Sequence, residues 1–156
     1  DELQEGLAVF AEYLAGDLSR PRLRLLAARV LAARRLEEGA ELIEVFRELN
    51  QVREFAQRTA FIITMRVFRG GGLTKDMVYL RGLVSLMAYL KKGGELTPLF
   101  VGKIGADHIP VVRELQLRKV LQKAPLQPRY MELPTTAERL ANARNGLSVH
   151  QLTERE

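Results

Sequence analysis

The sequence predicts a mainly α, multi-helix bundle, and three observations carry that expectation. Apolar residues recur three and four positions apart along most of the chain, no segment sustains an apolar/polar alternation, and glycines or prolines punctuate the periodic runs. With 156 residues and 47% hydrophobic content, the chain is long enough for one compact domain with its own core.

In chain order, Leu3, Leu7, Phe10 and Leu14 form the apolar stripe of a first helix that Gly16 ends. Ser19-Arg20-Pro21 offers a cap and a first-turn proline to a long, well buried helix through Leu23 to Leu36, which stops at Glu37-Glu38-Gly39. Two helical runs follow, Ala40 to Asn50 and Val52 to Phe68, the second with Phe55, Thr59, Ile62, Ile63 and Val67 as its inner set. Gly70 to Gly72 break the pattern. Thr74 is placed to cap a helix from Lys75 to Lys91, with Leu83, Val84, Met87 and Leu90 facing inward and Gly93-Gly94 as its stop.

A short helix is expected over Glu95 to Val101, and another from His108 to Leu121 with Asp107 as its cap. Prolines bias Ala124-Pro125-Leu126-Gln127-Pro128 toward an extended linker, and a tail helix follows from Thr136 to Asn145, ended by Gly146. The β-leaning stretches Phe61 to Thr64 and Pro110 to Val112 lie inside helical periodicity. The expected division is a helical subdomain over 1–124 and a proline-containing linker with a helical tail over 125–156.

Composition narrows the functional classes. No apolar run is long enough to span a bilayer, and Asp1-Glu2-Leu3-Gln4 lacks the basic-then-apolar order of a secretory signal. The expectation is a soluble, cytoplasmic protein with no membrane partner, trimmed at its N-terminus. Without cysteine there is no disulfide, thiolate zinc site or cysteine nucleophile. The net charge of +5, from 24 basic and 19 acidic residues, is dispersed. A nucleic-acid face could be built from Arg20, Arg22, Arg24, Arg29, Arg34 and Arg35, but no aromatics interleave with them and no recognition helix is evident, which argues against that partner. The run Arg69-Gly70-Gly71-Gly72-Leu73-Thr74-Lys75 lacks the spacing of a Walker phosphate loop.

Two segments carry the chemistry. Gln4-Glu5-Gly6-Leu7-Ala8 resembles the motif that names the QEGLA family. Arg66-Val67-Phe68-Arg69-Gly70, followed by Leu73-Thr74-Lys75-Asp76-Met77-Val78-Tyr79-Leu80-Arg81-Gly82, resembles that family's second block. Together the two are specific, and the resemblance runs in order from Leu3 to about Gly94. The family includes tubulin tyrosine carboxypeptidases and bacterial proteins often labelled modulators of flavohaemoglobin expression.

The resemblance implies the C-terminal part of a zinc metallopeptidase-like fold, in which an upstream helix bearing His-Glu-x-x-x-His supplies two ligands and Glu5 the third. A catalytic zinc takes three protein ligands and keeps an open position for water. The only histidines, His108 and His150, follow the motif and lack helical ligand spacing, so zinc is expected in a longer protein, none in this stretch alone, and the stretch alone is expected to be inactive. The implied partners are the N-terminal part of the same protein and a peptide or protein C-terminus as substrate. A dimer through the apolar face left without that N-terminal part is also expected.

Lys75, Tyr79 and Gly82 fall on one helical face. Tyr79 is the candidate hydrogen-bond donor to a developing oxyanion, and Arg66, Arg69 or Lys75 the candidate for binding a substrate's terminal carboxylate. Each residue also has a plainer reading. Glu5 and Asp76 suit the first turn of a helix, and Arg66 and Arg69 the last. Tyr79 suits a half-buried aromatic with its hydroxyl on the backbone, and Gly82 a close helix crossing. Glu12 is the next acid on the face of Glu5 and a candidate to support it. The rival to a peptidase is a helical interaction or regulatory module without chemistry.

Overall fold

A computed structural model describes residues 2–70, 73–122 and 124–153, with Leu73 and Thr74 described by backbone alone. Seven α-helices and no strand occur among the described residues, so the chain is mainly α as expected. It falls into two compact units, residues 20–80 and residues 1–19 with 81–156.

In the unit of residues 20–80, α2 (Arg20–Glu37) packs against α3 (Leu42–Arg47) and α4 (Gln57–Phe68), and the first part of α5 (Leu73–Lys91) closes the segment. Small side chains on α2 explain the close approach. Ala28, Ala32 and Ala33 meet Val45, Leu49, Ala60, Ile63 and Val67 in one buried cluster. Leu26 is the other buried residue of α2, and Arg24 and Arg34 on other faces are exposed. The long buried helix expected here is thus an amphipathic one. At the start of α3, the Glu41 amide donates to Glu44 Oε2 at 2.8 Å, which satisfies a donor that the helix leaves open.

The helix expected from Val52 to Phe68 is interrupted. A π-helical turn spans Glu48–Val52, Glu54 takes a left-handed φ of 57°, and α4 begins only at Gln57. Asn50 Nδ2 donates to the Phe55 carbonyl at 2.8 Å, and the Phe55 amide donates to the Leu49 carbonyl at 3.0 Å. The bend thereby satisfies backbone groups that a continuous helix would have paired internally. The inner face of α4 is Ala60, Ile63, Thr64 and Val67, whereas Ile62 is 54% exposed and Phe55 and Thr59 are half-buried. Once Phe55 leaves the helix, its register follows the contact of Ala60 and Ile63 with the other helices.

The second unit contains α1 (Glu2–Ala15), α5 from Arg81 onward, α6 (Ile109–Leu117) and α7 (Pro134–Arg144), joined by 3-10 turns. In this part of α5 the buried residues are Leu83, Leu86, Met87 and Leu90, while Val84 is 55% exposed. Leu86 takes the place expected of Val84 because it lies three residues from Leu83 and four from Leu90. Thr74 falls inside α5, and its side chain, like Gly71 and Gly72, lies outside the described residues.

The expected helix over Glu95 to Val101 is a 3-10 turn, Thr97–Val101, with Pro98 near its start. Asp107 lies in the 3-10 turn Ala106–His108, and His108, with no side-chain cap bond, precedes α6. That helix ends at Leu117, four residues short of the expected Leu121, and Lys119 turns left-handed with φ 58°.

The tail after Pro125 docks on α1 through α7. Arg139 Nη1 donates to the Leu14 carbonyl at 3.0 Å, while Thr136 Oγ1, whose nearer acceptor is the Tyr130 carbonyl, lies 3.4 Å from the same oxygen. The Arg139 bond satisfies an acceptor that the end of α1 leaves unpaired. Tyr13 Oη returns a bond to the Arg139 carbonyl at 3.3 Å. Gly16, at φ 92°, ends α1 and leaves space for the Arg139 guanidinium, since a Cβ there would stand 2.8 Å from its nitrogens.

Candidate functional site

In the unit of residues 20–80, the last turn of α4 and the first turn of α5 frame a groove of about 660 Å³. Phe61, Ile62 and Met65 form its apolar wall, and Arg66, Arg69, Lys75 and Asp76 supply its charges. The structure therefore brings together the three cations singled out from the sequence. Arg69 is the C-cap residue of α4 and is exposed, as is Lys75.

Asp76 organises this groove. Its side chain is 1% exposed, and its Oδ1 accepts a hydrogen bond from Arg66 Nε at 2.7 Å, whereas the Arg66 side chain is 43% exposed. A buried carboxylate is costly without a partner, so the pair is held on the Asp76 side and open on the Arg66 side. Asp76 is thus more than an acid at a helix start. Its Oδ2 and Arg29 Nε are both buried without a hydrogen-bond partner among the described residues. Burial holds Arg29 below the usual guanidinium range, and the neighbouring Arg66 pushes the same way, while Asp76, and more weakly Tyr79, oppose the shift.

Tyr79 stands one helical turn after Asp76 and is half-buried. It is not among the residues lining the groove. The sequence reading passed over Arg29 as a site residue, having taken it only as one of several dispersed arginines. Its place on the apolar side of α2, four residues after Leu25 and three and four before Ala32 and Ala33, is the signal that could have found it.

In the other unit, the Gln4-Glu5-Gly6 segment is fixed on two sides. Gln4 Nε2 donates to the Gly102 carbonyl at 3.1 Å, and Arg81 forms an ion pair with Glu2. Gly6 meets Gly82, and a Cβ on Gly82 would lie 2.9 Å from the Gly6 nitrogen and overlap the Glu2 carbonyl oxygen. Glu5 is therefore presented from a tightly crossed helix in its first turn, half-buried. Glu12, two turns on, has its carbonyl engaged by the amides of Asp17 and Leu18 at 2.8 and 3.2 Å.

The donor set does not make a complete zinc site. No group of three or more His, Cys, Asp or Glu that could hold a metal occurs among the described residues. His108 Nδ1 accepts from the Gly105 amide at 3.2 Å, and a ring nitrogen of His150 lies 3.1 Å from Ser148 Oγ, both on the exposed surface. No helix among the described residues is long and apolar enough to cross a membrane.

Residues 1–148 match the family model described as Microtubule-associated tyrosine carboxypeptidase. Over an all-helical chain, that match defines a carboxypeptidase-related protein. The chain belongs to the microtubule-associated tyrosine carboxypeptidase family, in agreement with the resemblance read from its two motif segments. No curated protein and no solved structure matches it.

Proposed function

We propose that this chain serves a zinc-dependent carboxypeptidase and that the groove framed by α4 and α5 receives the substrate's terminal carboxylate. The observation that carries this reading is the convergence of Arg66, Arg69 and Lys75 on one groove, with Arg66 anchored from behind by a buried Asp76. Guanidinium groups suit a carboxylate because their planar donors engage both oxygens. The apolar wall of Phe61, Ile62 and Met65 suits the side chain of the last residue. The family description makes tyrosine the first residue to test.

Two further roles belong to this reading. Tyr79 donates a hydrogen bond to the oxyanion that develops as the peptide carbonyl is attacked. Glu5 is one zinc ligand, joined by histidines from outside these 156 residues. A carboxylate held on a rigidly crossed helix meets the geometric demand on such a ligand.

The test compares peptides ending in a free carboxylate with their C-terminal amides. Arg66→Ala is expected to erase most of the preference for the free acid, and an unchanged preference would sink the carboxylate assignment. Zinc content per chain, measured for the full-length protein and its Glu5→Ala variant, tests the ligand separately. Loss of stoichiometric zinc in the variant is the expected result, and retention removes Glu5 from the ligand set.

A further inference from the structure

We infer that Asp76 is a positioning residue: its buried carboxylate fixes the Arg66 guanidinium so that the donors left over face the groove. This inference rests on the carboxylate-binding reading above and deepens it.

The asymmetry of the pair carries the argument. Asp76 is almost wholly buried and Arg66 is close to half exposed. An exposed ion pair between two mobile side chains contributes little, because both ends must be ordered and water screens the attraction. Here one end is already fixed by the fold. Asp76 occupies the first turn of α5 and engages only Nε of Arg66, the donor nearest the aliphatic stem. The two terminal nitrogens remain for a ligand, and they belong to a side chain that lines the groove.

The charge inventory points the same way. Among the described residues, Arg66, Arg69 and Lys75 line the groove with Asp76 as its carboxylate, and Arg29 and Arg22 add two further cations to the same neighbourhood. Burial, and after it the like charge of Arg66, hold Arg29 below the usual guanidinium range. Repulsion from Arg29 favours displacement of Arg66 toward solvent, and the ion pair with the buried Asp76 opposes it. Asp76 keeps it at the groove wall despite that repulsion.

The sign of the effect separates positioning from plain electrostatics. A carboxylate near an anion site repels the anion, so its removal should tighten anion binding if charge alone matters. A positioning role demands the opposite. In the full chain, Asp76→Ala is expected to lower the preference for free-acid over amidated peptide by roughly tenfold, the scale of one charge-assisted hydrogen bond. Asp76→Asn, which keeps an oxygen acceptor for Arg66 Nε, is expected to retain part of it. The preference is a ratio, so a partly unfolded sample does not change it.

If Arg66→Ala lowers the preference while Asp76→Ala leaves it unchanged or raises it, the positioning role is overturned and the carboxylate reading survives. If Arg66→Ala has no effect on the preference, the carboxylate reading falls and the role of Asp76 falls with it. Should Asp76→Ala fail to fold, Asp76→Asn decides: a preference at or above the unmodified chain's overturns the role, and a reduced one supports it.

Discussion

Gly6 of α1 and Gly82 of α5 meet backbone to backbone, so closely that neither position has room for a Cβ. The two glycines belong to the two motif segments, and their contact, flanked by the pair of Glu2 and Arg81, fixes the helix that carries Glu5. Close backbone approach is a structural demand that only glycine meets.

Substituting either glycine by alanine is therefore expected to destabilise the protein by about 1–3 kcal/mol, the usual cost of overpacking a tight contact. Denaturant titration would measure it. The double variant should lose less than the sum of the two single losses, because both remove the same contact. Losses below a few tenths of a kcal/mol would show that the helices part at little cost.

The register of α4 makes a second prediction. Ile63→Ala removes a buried side chain from the cluster around Ala32 and Val45 and is expected to cost about 2–5 kcal/mol. Ile62→Ala, on an exposed neighbour, should cost well under about 1 kcal/mol. Equal losses would restore the register in which both face inward.

Docking of the tail gives a third. Arg139→Met removes the guanidinium that donates to the Leu14 carbonyl and is expected to cost about 1–2 kcal/mol. Limited proteolysis should cut α7 faster in the variant, and an unchanged cleavage rate would mean that Arg139 does not hold the tail.

Stability at high pH provides a fourth. Burial raises the Tyr130 phenol above its ordinary value of 10.0. Below that pH the phenol is protonated in both folded and unfolded chains and contributes no slope. Above it the unfolded chain loses the proton first, so the folded state binds more protons and stability falls as pH rises. Denaturation midpoints from pH 8 to 11 should show a smaller decline for Tyr130→Phe than for the unmodified protein.

Tyr79→Phe tests the oxyanion role. Loss of a hydrogen bond made mainly in the transition state is expected to lower kcat/KM by about 10²-fold with little change in KM. An unchanged kcat/KM in the active, full-length protein would leave Tyr79 as an ordinary half-buried aromatic.

Particular residues show how far the sequence reached. Leu3, Leu7, Phe10 and Leu14 marked α1, and all four are buried. The glycine and proline signals bracketed α2, α5 and α7 to within about two residues, because helix ends are set by local backbone preferences. Arg66, Arg69 and Lys75 were legible as site candidates from a motif, and the structure assembles them on one groove. Asp76 was legible only as an acid at a helix start. Its burial depends on where Arg66 lies, ten residues earlier on another helix, and no local pattern records that.

By itself the sequence determined the helical class and most helix boundaries, since these follow from short-range periodicity and backbone preference, and it carried the two motif segments through their resemblance to a known family. Tertiary structure alone decided which of Ile62 and Ile63 is buried, the break at Glu54 and the contact of Gly6 with Gly82. It also decided the docking of the tail on α1 and the pairing of Asp76 with Arg66. Each of these depends on competition for space or for a hydrogen-bond partner between segments distant in the chain, and such competition is resolved only when those segments meet.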